Sequence, residues 1–240
     1  MKIVITEDYE ELSRSGAQSI LDVVRRTPQA VLGLATGTTP LGLYARLIAD
    51  RKENGTDYSQ IRTVNLDEYQ GLPASHPQSY AYFMRKNLFD GLGMDPKHTN
   101  IENGMAEDEE AECARYDALL NELPRNIQLL GLGSNGHIAF NEPGTAFLSG
   151  THVVTLAEST VRDNARLFSD ISEVPRKAFT MGIKQIMQAK KILILASGAN
   201  KADAVYKMVK GAVTEQVPAS VLQLHPDCTL IADREAAGKI

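Results

Sequence analysis

The 240-residue sequence has no tryptophan and only two cysteines, Cys113 and Cys228. They stand far apart and form no C-x-x-C pair. Neither a disulfide framework nor a zinc or redox site is expected, and two free thiols suit a reducing compartment. Basic residues are in the minority, 25 Lys and Arg against 30 Asp and Glu, for a formal charge of −5. That balance argues against a nucleic-acid-binding face, which is usually basic. No window approaches the roughly 18 uncharged apolar residues of a membrane span. No opening stretch joins basic residues to a long apolar run, as a secretory signal does. Internal repeats and low-complexity linkers are also missing. The expectation is a single domain over residues 1–240, cytoplasmic, with neither membrane nor nucleic acid as partner.

What is present is ordinary globular composition, 43% apolar and 23% charged, in a chain long enough to bury a sizeable core. Short apolar, β-branched runs predict strands at 2–6, 30–35, 61–66, 127–133, 151–157, 191–197, 220–225 and 228–233. Several are apolar on nearly every residue, as strands covered on both faces are. Helical spacing marks 8–26, 40–52, 79–89, 106–123 and 200–210. Asp8 and Asn200 are candidate helix caps, and the acidic run 107–112 suits a helix N-terminus. Alternation of the two kinds predicts an α/β fold, a three-layer α/β/α Rossmann-like arrangement on a mostly parallel sheet.

Open sheets of this kind bind ligands beyond the carboxyl ends of their strands. Four unusual segments fall there: "TGTTP" after 30–35, "LDEY" after 61–66, "GSNGHIAFNEP" after 127–132 and "SGANK" after 191–195. Within the third, Gly131, Gly133 and Gly136 spell G-x-G-x-x-G, and Glu158 stands about 20 residues on, where a dinucleotide site wants a ribose-binding acid. Such a site also needs a long crossover helix opened by the third glycine. Pro143 and Gly144 follow Gly136 too soon for one. The glycines are read instead as a tight turn presenting His137 and Glu142, and no organic cofactor is expected.

The remaining chemistry is sparse and local. Thr36, Gly37, Thr38 and Thr39, ahead of Pro40 at an expected first helical position, make a candidate anion cradle of amides and hydroxyls. Asp67 follows a buried apolar strand, where desolvation can turn a carboxylate into a base, although paired acids such as Asp67 and Glu68 are usually just solvated. His137 is flanked by Asn135 and Glu142, and a glutamate within reach can hold an imidazole in one tautomer. A metal site there lacks a second histidine at helical spacing and a third ligand. His76, His98, His152 and His225 have no such company and are read as structural or surface residues. Arg166 and Lys201 are cations, and Lys201 stands at a strand's carboxyl end beside Ser197 and Gly198, where it can meet an anion. An anion site, a lone carboxylate base and a histidine–carboxylate pair suit proton transfers on a small phosphorylated molecule.

Taken together, "LATGTTP", "VNLDEY", "GLGSNGHIAFNEPG", "NAR", "TMGI" and "LQLH" resemble the glucosamine-6-phosphate deaminase family over essentially the whole chain. The resemblance implies conversion of glucosamine 6-phosphate and water to fructose 6-phosphate and ammonia, with no metal and no organic cofactor. It implies Asp67 as the base that carries a proton from C2 to C1, and His137, oriented by Glu142, as the relay that opens the sugar ring. It assigns the phosphate to Thr36, Gly37, Thr38 and Thr39 with Arg166 and Lys201, and a lid movement to the segment around 155–178. Monomer and homo-oligomer are both left open.

Two departures stand out. Many members carry aspartate where this chain has Asn135, which implies retained activity with an altered pH profile. The longer, allosterically regulated members place basic residues soon after the N-E-P motif, whereas "PGTAFLSGTHVV" (143–154) offers no Arg or Lys. Activation by N-acetylglucosamine 6-phosphate is therefore not expected. The rival enzyme is 6-phosphogluconolactonase, whose resembling G-x-G-x-x-G-H motif lacks the "IAFNEP" tail and which needs no carbon-acid base at "LDEY". A rival of another class is the sugar-phosphate-sensing module of a transcription regulator, for which the chain has no spare helix-turn-helix segment.

Overall fold

In the computed structural model every residue is described except 157–167 and 169. A parallel seven-stranded sheet forms its centre. Its strands, in chain order, are β1 (Lys2–Thr6), β2 (Val31–Leu34), β3 (Arg62–Asn65), β5 (Thr99–Asn100), β6 (Ile127–Gly131), β9 (Ile192–Ala196) and β10 (Cys228–Asp233). In space the order is β1-β10-β9-β6-β2-β3-β5. A second, antiparallel sheet joins β4 (Asp67–Tyr69), β8 (Lys177–Thr180) and β7 (His152–Thr155) in the order β4-β8-β7. Helices flank the parallel sheet in a three-layer α/β/α arrangement. They are α1 (Tyr9–Arg26), α2 (Leu41–Asn54), α3 (Tyr80–Met84), α4 (Asp90–Leu92), α5 (Glu109–Glu122), α6 (Ile183–Met187) and α7 (Ala202–Lys210). A π-helical turn, Arg85–Phe89, joins α3 to α4. No described helix is long and apolar enough to cross a membrane.

The strands form where the apolar runs predict because helices cover both faces of the sheet. Strands β2, β9 and β10 are buried along their whole length. Each large aliphatic side chain sealed in this way contributes about 1.5–3 kcal/mol, so the β9 run Ile192–Leu195 alone outweighs any surface ion pair. Helix α1 starts where the Asp8 carboxylate accepts the Glu11 N–H at 2.8 Å, a cap of about 1 kcal/mol.

Some expectations are corrected. The segment 220–225 is not a strand but part of a 3₁₀ helix, Pro218–Leu224, buried from Pro218 to Leu222. Its apolar run is as compatible with a buried helical turn as with a strand, and Pro218 near the start favours the turn. Asn200 does not cap a helix, since it lies inside the 3₁₀ turn Ala199–Lys201 that precedes α7. Pro40 is the N-cap of α2 rather than its first residue. The strand predicted at 151–157 belongs to the antiparallel sheet. The short strands β4, β5 and β8 and the five-residue helix α6 carry too little pattern to be foreseen.

The topology also marks the site. From β2 the chain runs outward through β3 to β5, whereas β6 lies on the other side of β2 and leads to β9 and β10. The β2–β6 junction is the switch point at which open α/β sheets leave a crevice.

Candidate active site

A cleft of about 290 Å³ opens at that junction. Each of the four segments singled out in the sequence contributes to its wall, including Thr36, Asp67, His137 and Lys201. They meet because their strands are parallel and end on the same side of the sheet.

Asp67 stands where the chain leaves β3 and enters β4. The Leu66 carbonyl accepts the Met181 N–H at 2.7 Å, and Asp67 pairs across β4 with Thr180. Its side chain faces the cleft yet the residue is only 7% exposed. Burial, reinforced by the neighbouring Glu68 charge, pushes its carboxyl up to about 8. Glu68 is not the solvated acid that the sequence suggests. At 2% exposure, it accepts the N–H groups of Tyr69, Tyr80 and Ala81, all at 2.8 Å. Burial raises it to about 7 against the pull of those amides. The pair thus differs: Glu68 anchors the start of α3, whereas no hydrogen bond holds the Asp67 side chain among the described residues.

The glycine turn serves His137. A hydrogen bond from Gly133 N–H to the His137 carbonyl, 2.9 Å, closes it, and Gly136 adopts φ +92°, a conformation that favours glycine. No crossover helix follows; Ile138 and Asn141 pair in an isolated bridge instead, which removes the dinucleotide alternative. Asn141 fixes the far side of the turn by donating to the carbonyls of Ile138 and Met181 at 3.0 and 2.9 Å. Ala139, also on the cleft wall, takes φ +52°, a costly conformation for a non-glycine residue and one that clusters at functional sites.

Glu142 Oε1 lies 3.2 Å from His137 Nδ1. The approach is off-axis for an ideal hydrogen bond, yet this contact is the main influence that lowers the Glu142 carboxyl. Glu142 Oε2 accepts the Asn135 side-chain amide at 2.6 Å. Contact with the imidazole, aided by that amide, holds the Glu142 carboxyl below its ordinary value despite partial burial. Asn135 Oδ1 accepts the His137 backbone N–H at 3.1 Å, not an imidazole N–H. It orients Glu142 and the turn rather than the ring.

Of the expected anion-binding residues, Thr36, Gly37, Thr39 and Lys201 line the cleft. Thr38 does not; it faces a neighbouring groove shared with Tyr9 and Ser197. Arg166 lies outside the described residues, as does most of the expected lid, 157–167 and 169. Burial pulls the Lys201 ammonium below its ordinary value, and no carboxylate pairs with it among the described residues. Its turn is braced by Asp233, which accepts Ser197 Oγ at 2.5 Å and the Gly198 N–H at 3.0 Å. Sequence reasoning missed Tyr80 and Phe140, whose rings stack at 6.2 Å on the cleft wall. The signal for Tyr80 was available: Ser79 caps α3 and accepts the Tyr82 N–H, so Tyr80 opens the helix anchored by Glu68.

The described elements of this geometry can move protons at two separate points, one at Asp67 and one at His137, around a bound anion. Residues 7–231 match the family described as glucosamine-6-phosphate isomerases/6-phosphogluconolactonase. A glucosamine-6-phosphate deaminase from Clostridium novyi is 50% identical over 241 residues, covering 100% of both chains. One from Clostridium perfringens is 49% identical over 238 residues, 99% of this chain and 98% of that one. A solved monomeric glucosamine-6-phosphate deaminase superposes with a TM-score of 0.96 at 49% identity, covering 100% of each. A 6-phosphogluconolactonase from Trypanosoma brucei reaches 0.78 at 21% identity, covering 100% of this chain and 98% of that one, a likeness of fold alone. With half its positions shared with such relatives from end to end, the chain belongs to the glucosamine-6-phosphate isomerase/6-phosphogluconolactonase family.

Proposed function

We propose that the chain is a glucosamine-6-phosphate deaminase, converting glucosamine 6-phosphate and water to fructose 6-phosphate and ammonia in the cytoplasm. The observation that carries this reading is a buried carboxyl raised to about 8, Asp67, in the same cleft as the His137–Glu142 pair. A lactone hydrolase has no use for a carbon-acid base, whereas an aldose–ketose conversion depends on one.

The chemistry assigns a task to each group. The turn Thr36–Thr39, with Lys201 and Arg166, holds the phosphate by backbone amides, hydroxyls and charge. His137 takes the proton from the anomeric hydroxyl and delivers it to the ring oxygen as the ring opens, with Glu142 favouring the intermediate imidazolium. C2 then lies α to a carbonyl and becomes acidic. Asp67 removes its proton while the C1 oxygen takes one up, giving an enolamine. It then delivers the proton, partly exchanged with solvent, to C1 as the nitrogen gives one up, leaving an imine at C2. Water adds to the imine and ammonia departs. Each positioned acid or base contributes about 10²–10⁴-fold, and the phosphate supplies the handle for orientation. With no Arg or Lys in 143–154, N-acetylglucosamine 6-phosphate leaves the rate unchanged.

The test is release of ammonia from glucosamine 6-phosphate, run in deuterated solvent beside hydrolysis of 6-phosphogluconolactone. Ammonia with solvent deuterium in the product supports the assignment. Lactone hydrolysis without ammonia overturns it.

A further inference from the structure

The amides of Gly37, Thr38 and Thr39 donate to no protein acceptor among the described residues, so something else must fix their direction. Tyr9, the first residue of α1, reaches across to this turn from a position 36% exposed. Its hydroxyl oxygen lies 3.2 Å from the Thr38 carbonyl and 3.0 Å from the Thr39 carbonyl, and it accepts the Gly42 N–H at 2.9 Å. One phenol therefore ties backbone groups on both sides of Pro40. A hydroxyl has one proton to give and lone pairs to receive, so it donates to the two carbonyls in alternation while holding Gly42.

Peptide geometry turns this tie into aim. In a trans peptide the C=O and the following N–H point in opposite directions. Drawing the Thr38 carbonyl toward Tyr9 turns the Thr39 N–H away from it, and Thr39 is one of the residues that line the cleft. Pro40 has no N–H to offer, and the Leu41 N–H turns back to the Thr38 carbonyl at 3.3 Å. The anchor has little slack, because α1 and α2 are pressed together here. A Cβ on Gly42 would come within 2.3 Å of Ser13 Oγ and 3.1 Å of Tyr9 Cε1.

We propose that Tyr9 is a positioning residue for phosphate binding: without touching substrate, its hydroxyl locks the Thr38–Thr39 backbone in the orientation that presents amides to a phosphate oxygen. The proposal rests on the assignment of this turn to the substrate's phosphate.

Tyr9→Phe keeps the ring and removes only the hydroxyl. Ammonia release gives KM and kcat for glucosamine 6-phosphate, and inorganic phosphate serves as a competing probe of the cradle alone. Loss of one net hydrogen bond predicts that KM and the phosphate inhibition constant rise together about fivefold, with kcat held within about twofold. If phosphate inhibits wild type and Tyr9→Phe equally, the role of Tyr9 is overturned while the cradle stands. A fall in kcat at unchanged KM overturns it as well. A wild type insensitive to phosphate overturns the cradle assignment and this proposal with it.

Discussion

The imidazole of His137 lies against the backbone of Gly133 so closely that a Cβ on Gly133 would stand 2.4 Å from three of its ring atoms. The glycine is thus required by the histidine it faces and not by a nucleotide. Gly133→Ala must displace a side chain, not the main chain, so the fold survives while the ring moves. A misplacement near 1 Å costs on the order of 10²-fold. Steady-state kinetics should show kcat reduced by about that factor, with the phosphate inhibition constant unchanged.

Asp67→Asn separates catalysis from stability. Loss of the proposed base should lower kcat by about 10²–10⁴-fold. The fold should become more stable, because the native carboxyl titrates near 8 instead of its ordinary 3.8. A folded state with the higher value binds more protons than the unfolded chain, so wild-type stability falls as pH climbs from about 4 to about 8. The neutral amide removes that slope, a gain on the order of a few kcal/mol at pH 7. Thermal melts of both proteins across this range check the sign: the melting-temperature difference should widen with pH.

Glu102 offers the same test away from the chemistry. It is 2% exposed, neither carboxylate oxygen has a hydrogen-bond partner among the described residues beyond its own main chain, and burial followed by the Asp67 charge holds it well above its ordinary value. An unpartnered buried polar group costs about 1–3 kcal/mol. Glu102→Leu should therefore raise the melting temperature at pH 7, and by more at pH 8 than at pH 5. A Leu variant less stable than wild type at every pH would refute this account.

Asn135→Asp replaces the amide that donates to Glu142 Oε2 with a second carboxylate. Like charges then crowd Glu142, and the added charge favours the protonated imidazole. The acidic limb of the pH dependence of kcat/KM should move to higher pH, with activity retained. Ammonia-release rates from pH 5 to 9 measure it.

Much of this was legible in the sequence. Strands β2, β6, β9 and β10 announce themselves because helices seal both faces, leaving almost every residue apolar. The four strand-tip segments converge as open-sheet topology demands. The misreadings have local causes. "SVLQLH" is apolar without periodicity, and the buried 3₁₀ turn it forms differs from a strand only in backbone dihedral angles. Thr38 sits among three cradle residues but faces outward, an orientation that composition cannot encode. Glu68 reads as a loop acid because its three amide donors come partly from Tyr80 and Ala81, a dozen residues on.

The passage from β3 into β4 at Asp67 has a consequence for how such a chain can diverge. Side chains alternate across a strand, so a one-residue insertion between Asn65 and Asp67 would swing the carboxylate to the opposite face. The Leu66–Met181 hydrogen bond and the pairing with Thr180 would be lost in the same event. Loops elsewhere on the rim can lengthen and drift, but this two-sheet seam admits no indel, and descendants that keep the reaction must keep its spacing.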